Sequence, residues 1–166
     1  MADISARELK QRVAVIKRFK EVLKAQRDRF NAYLDTLDRQ KDVIERGSAD
    51  DLLHHVELEE KIVADIFSIQ KVIDPLEKMY QTSKVETHVK GKKAAAKHSD
   101  RDEVSGLKEA LDSLKAEAVV RSERNRELLT RRMAELRSEI KTLRSNPYAR
   151  RSRGSSSIPT QVDIRG

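Results

Sequence analysis

The residues best suited to chemistry in this 166-residue chain are two adjacent histidines, His54 and His55, with Asp51 and Glu59 near them. Asp51-x-x-His54 has the spacing of a carboxylate–imidazole pair that could hold a metal from one helical face. A di-iron site in a helical bundle needs two Glu-x-x-His motifs and further inward glutamates on other helices, and the chain has neither. Adjacent histidines also point about 100° apart on a helix, so the pair reads as solvated or at the edge of a packing seam. His88 and His98 fall in a lysine-rich stretch and form no pattern. The absence of cysteine excludes thiol catalysis, disulfides and Cys-ligated metal centres. No Gly-rich phosphate loop, G-x-S-x-G elbow or H-E-x-x-H motif occurs. The expectation is a protein with no catalytic residues, no metal and no cofactor, and not an enzyme.

A second kind of chemistry would be phosphate recognition. Arg150, Arg151 and Arg153 could contact phosphates while Tyr148 stacks on a base, and the net charge is +7. That charge is unevenly placed. Residues 1–83 carry 15 Lys/Arg against 16 Asp/Glu, and residues 99–143 carry 10 against 10, whereas 84–98 and 144–166 each carry 5 against 1. The excess lies in two segments without apolar periodicity, and no nucleic-acid-binding pattern accompanies it. Solubilising segments are therefore preferred to a specific nucleic-acid site.

The elements that must position any site are helical. Charged residues make up 38% and hydrophobic ones 37%, with 5 Gly and 3 Pro. Turns are too few for an all-β fold, and the thin apolar content suits long helices that each bury one stripe. Leu9, Ile16, Leu23, Phe30, Leu37 and Ile44 recur every seven residues, widened by Val13, Phe19, Tyr33 and Leu34, which predicts a first helix of about 40 residues facing a partner helix. Gly47 ends it and Ser48 caps the next, with Asp50 and Asp51 in the new first turn. The second helix carries Ile62, Ile66, Ile69, Ile73, Leu76 and Tyr80, and so short a connection makes an antiparallel αα-hairpin. Asp74-Pro75 predicts a kink, or a restart with Asp74 as cap. Residues 83–99 lose the periodicity, which predicts a mobile linker.

The third helix, Asp100 to Leu143, carries Val104, Leu107, Leu111, Leu114 and Ala118, then polar Arg121 and Asn125, then Leu129, Met133, Leu136, Ile140 and Leu143. The two successive four-residue steps from Asn125 to Met133 form a stutter that turns the seam around the helix. The expected fold is all-α: an elongated antiparallel three-helix bundle, a long αα-hairpin plus a C-terminal helix, in a single domain over 1–143. A disordered basic tail is expected over 144–166. No apolar run approaches the ~18 residues of a membrane span, and the N-terminal stretch lacks a signal-peptide core. The expectation is a cytoplasmic protein without membrane insertion.

What remains as a site is the stripe of the third helix. On the plain reading all of it packs against the hairpin, since apolar stripes are usually core. On the sharper reading its half beyond the stutter overhangs the shorter second helix and receives an amphipathic helix from a partner.

Residues 40–76, QKDVIERGSADDLLHHVELEEKIVADIFSIQKVIDPL, resemble the FlgN family at Gly47, Leu52, Leu53, Leu58, Glu60, Lys61, Ile62 and Ile66. RSERNRELLTRRMAELRSEIKTL is similar to that family's C-terminal helix, with Asn125 followed by Leu128 and Leu129, and NPYARRSRGSSSIPTQVDIRG is similar to its tail. The resemblance implies a cytosolic flagellar type III export chaperone without catalytic activity. Such a protein binds and shields the terminal amphipathic helices of hook–filament junction proteins (FlgK- and FlgL-like) and delivers them to the flagellar export gate (FlhA-like). Together with the stripe, it implies partner binding by Asn125, Leu128, Leu129, Met133, Leu136, Ile140 and Leu143, and gate contact by Tyr148. Two other readings stay open: a coiled-coil adaptor that self-associates through the seven-residue stripe, and a helical protein that binds nucleic acid through 84–98 and 144–166.

Overall fold

Three helices make up the described chain: α1 Ala6–Arg46, α2 Ala49–His88 and α3 Ala95–Ser145. The computed structural model describes residues 6–88 and 95–145, with side chains over 6–83 and 99–145. At 1.5 Å per residue, the 41 residues of α1 span about 60 Å.

The hairpin turn is built by three side-chain identities. Gly47 N–H donates to the Val43 carbonyl at 2.7 Å, and a Cβ at position 47 would lie 2.8 Å from that oxygen and from Val43 Cγ1. Glycine is required there by close approach. Ser48 and Asp51 then start α2 with a capping box: Asp51 N–H donates to Ser48 Oγ at 3.1 Å, and the Asp51 carboxylate accepts from Ser48 N–H at 3.1 Å and from its hydroxyl at 2.7 Å. These bonds from Ser48 hold the Asp51 carboxyl below its ordinary value.

Paired residues give the helix directions. Gln26 meets Ile66 and Gln70, and Tyr33 meets Glu59, so α2 runs antiparallel to α1. Lys20 meets Asp100 and Glu103, and Asn125 meets Leu37 and Gln40, so α3 runs parallel to α1. The antiparallel bundle is thus antiparallel between consecutive helices. Helix α1 packs along both of the others, while α2 and α3 meet each other only sparingly. This central place explains why the buried stripe of α1 is wide, taking in Phe19, Val22, Leu23, Gln26, Phe30, Leu34, Leu37, Gln40 and Ile44. The core joins Phe19, Val22, Leu23, Phe30 and Leu34 of α1 to Ile73, Leu76 and Tyr80 of α2 and to Val104, Leu107, Leu111 and Ala118 of α3. Phe19 and Tyr80 stack tilted, with ring centroids 5.3 Å apart.

Helix α2 runs through Asp74-Pro75 without a restart. Pro75 is exposed, so the carbonyl it deprives of a helical donor is on the watery side, where the cost is smallest. Helix α2 continues to His88 and α3 begins at Ala95, so both helices reach into the stretch 83–99 that lacks apolar periodicity. Alanine and lysine sustain helix by propensity without an apolar face. Residues 89–94 and the tail from 146 lie outside the described residues.

Candidate helix-binding site

The long stripe of α3 is buried in one half and bare in the other. Val104, Leu107, Leu111 and Ala118 are all under 8% exposed against the hairpin. Leu128 and Leu129 are half-buried. Met133, Leu136, Ile140 and Leu143 are 45%, 41%, 51% and 67% exposed. The change comes where the hairpin stops, since Ile44 is the last buried residue of α1 and the chain turns at Gly47. From Met133 to Ser145 every residue of α3 is exposed. The spacing that fills the core higher up is thus repeated on a helix end with no neighbour among the described residues.

Charges border the packed half in matched pairs. Lys20 Nζ lies 2.7 Å from Asp100 and 2.9 Å from Glu103, and Lys24 Nζ lies 2.8 Å from Glu103. The hydrogen bonds from Lys24 and Lys20 pull the Glu103 carboxyl down to about 2, and the same two carboxylates raise Lys20 above its ordinary value. Further along, Arg121 and Arg124 both reach Asp38, at 2.7 and 3.1 Å. Lys108 pairs with Glu77, tying α3 to α2.

At the stutter a polar layer replaces the apolar one. Asn125, only 3% exposed, donates to the Leu37 carbonyl at 2.7 Å and to Gln40 Oε1 at 3.0 Å, while its own oxygen accepts from Arg124 at 3.2 Å. Gln40 donates to Glu59 at 2.8 Å, and the Tyr33 hydroxyl donates to Glu59 at 3.1 Å. Burial, and then the Glu59 charge, raise the Tyr33 hydroxyl above its ordinary value. The layer joins all three helices and fully employs both ends of the Asn125 amide.

The seven residues singled out on α3 therefore divide. Asn125 belongs to the interior of the bundle, and its side chain is not presented to an outside helix. Leu129 lines a groove of about 270 Å³ where all three helices meet, with Ile44, Leu52 and Val56. Leu128 borders a hollow of about 220 Å³ with Ile44, Arg131, Arg132 and Glu135. Met133, Leu136, Ile140 and Leu143 form the exposed run. Tyr148, with Arg150, Arg151 and Arg153, lies outside the described residues. Sequence sets Tyr33 on the flank of the α1 stripe and Glu59 beside the histidines and does not point to Gln40, and only the register of the helices brings the three together.

The other chemical candidates are not assembled. His54 is exposed and His55 half-buried with its Nδ1 unpaired, and their rings are 6.3 Å apart. Among the described residues no group of three or more His, Asp or Glu is placed to hold a metal ion, and no helix is long and apolar enough to cross a membrane.

Comparison with known proteins agrees with the helical resemblance. The family profile described as FlgN protein matches residues 15–156. An uncharacterized protein of Treponema pallidum (strain Nichols) is 32% identical over 144 residues, which cover 87% of this chain and 84% of that protein. No solved structure matches the chain.

Proposed function

We propose a function from one premise: the chain belongs to the FlgN family, which is a family of flagellar export chaperones. The finer proposal is that it works in the cytoplasm. There it binds the terminal amphipathic helices of hook–filament junction proteins (FlgK- and FlgL-like), shields them and brings them to the export gate (FlhA-like). Free amphipathic helices of that kind expose apolar surface and associate prematurely. A second apolar stripe that covers them removes the hazard until export.

The observation that supports this reading is the bare half of α3, where Met133, Leu136, Ile140 and Leu143 continue a core-forming stripe past the end of α1. A partner helix laid along it with i, i+3, i+4, i+7 anchors would bury ~500–1,000 Å² of apolar area, a gross ~12–25 kcal/mol, most of it offset by the ordering of the partner. Reversible binding in the micromolar range or tighter follows. In this reading Leu128 and Leu129 form the inner edge of the site, and Asn125 is its structural floor. Tyr148 remains the proposed gate contact, a single aromatic anchor beyond the helix.

Calorimetric titration of the full chain with a C-terminal peptide of a junction protein is the test. Binding weakened by Leu136→Asp or Ile140→Asp is expected. Failure of both the peptide and the intact junction protein to bind at tens of micromolar would sink the proposal.

A further inference from the structure

The packed half of α3 displays the rule by which this helix chooses neighbours. Glu103 beside the stripe and Asp100 at its start meet Lys20 and Lys24 of α1, and Arg121 in the stripe and Arg124 beside it meet Asp38. The bare half has a border as well, but no match for it. Leu129, Met133, Leu136, Ile140 and Leu143 step by four, three, four and three residues, a coiled-coil seam with Met133 and Ile140 at a and Leu136 and Leu143 at d. The bordering e and g positions are then Arg132, Arg137, Glu139 and Arg144. Arg132 lies 3.5 Å from Glu135 on its own helix. Among the described residues no carboxylate is within ion-pair distance of Arg137 or Arg144.

A second copy of the chain is a poor fit to this border. Parallel self-pairing would oppose Arg132 with Arg137, and antiparallel self-pairing would oppose Arg137 with Arg144, so each orientation sets one repulsion against one attraction. A helix bordered by acids meets three cations, Arg132, Arg137 and Arg144, against the single acid Glu139. We propose that the occupant of the free end of α3 is a partner's amphipathic helix whose apolar stripe is bordered by Asp and Glu, and that Arg132, Arg137 and Arg144 select it. This deepens the function proposed above and rests on it: the stripe supplies the area, and the arginines supply partner choice and register.

The test uses the full chain and two labelled synthetic peptides of about 25 residues, long enough to line the seam at 1.5 Å per residue. They share Leu and Ile at a and d and differ only in carrying Glu or Lys at e and g. Fluorescence anisotropy should show the Glu peptide binding about tenfold tighter, as three exposed pairs allow (~1.4 kcal/mol in total), with the preference shrinking in added salt. The triple variant R132E/R137E/R144E should invert the preference, and the milder R137Q/R144Q should reduce it should the triple variant lose helicity. The triple variant K61E/K71E/K78E changes the net charge equally on exposed positions of α2 and should leave the preference intact. Leu136→Asp should abolish binding of both peptides.

Equal affinity for the two peptides overturns this inference and leaves the helix-receiving reading standing. An equal response of the α2 control also overturns it, since the choice would then lie in the overall charge. No binding of either peptide overturns both readings. A wild-type dimer in sedimentation that Leu136→Asp dissolves would identify a second copy as the occupant and overturn it too.

Discussion

Val104 to Ala118 and Met133 to Leu143 carry the same apolar repeat on one continuous helix and meet opposite fates. The first run is buried beneath α1 with its bordering charges paired, and the second stands in solvent with no ion pair from its bordering arginines to α1. Composition does not separate them. What separates them is the length of α1, which turns back at Gly47, and the polar layer at Asn125, which marks the end of the shared core. A periodic stripe says that a face needs cover, and the register of the neighbours decides whether the chain covers that face itself.

Truncations in the packed run test this contrast most severely. Leu111→Ala should cost about 2–5 kcal/mol in urea unfolding, the range for a large-to-small change in a core, because Leu111 is 4% exposed. The polar layer should come next. Asn125→Ala removes the donor to the Leu37 carbonyl and to Gln40 and leaves buried acceptors unmatched, for about 1–3 kcal/mol. If that variant is as stable as wild type, Asn125 is not what closes the shared core.

The ionic border of the packed run has a pH signature. Glu103 titrates near 2 in the folded protein against an ordinary 4.5, so its contribution is complete above about 4.5 and fades as the pH falls toward 2. Lys20 is shifted upward, so its contribution holds up to its ordinary value of 10.5 and is lost only as the pH rises through the raised value. Thermal unfolding followed by circular dichroism should show a midpoint that falls between pH 5 and pH 2. Glu103→Gln should start lower at neutral pH and fall less steeply. Asp51, held down by Ser48, contributes in the same direction, so part of the acid limb should survive. The smallest effect is expected in the bare run. Ile140→Ala should alter stability by no more than about 0.5 kcal/mol, the level of an ordinary surface change, and the same variant should still weaken capture of a partner helix.

Much of this architecture was legible in the residues. The seven-residue series of α1 marks Leu23, Phe30, Leu37 and Ile44, all buried, and fails at Leu9, which is 47% exposed on the first turn. Ser48 and Asp51 announce the start of α2, and the reciprocal bonds are there. Pro75 does not restart the helix because proline's cost depends on which side of the helix the orphaned carbonyl faces, and sequence does not state that side. The helix ends near 88 and 95 misled because periodicity reports burial, whereas helix extension there rests on propensity. Asn125 was placed on the binding face because a polar residue in an apolar stripe is ambiguous by itself. Its partners Leu37 and Gln40 lie 88 and 85 residues away in the chain.

Those separations have a temporal consequence. The hydrogen bonds across the hairpin join residues 19 to 44 apart, whereas the hydrogen bonds and ion pairs that dock α3 onto α1 join residues 79 to 88 apart. Closing short loops is faster and less costly in entropy than closing long ones, so the hairpin assembles first and its second face waits for α3. Pulsed hydrogen exchange during refolding should accordingly protect the amides of α1 and α2 before those of 104–125. The arginine-bordered end of α3 then acquires a fixed bearing only in the final step of folding, and a half-made chain holds out no landing place to a client.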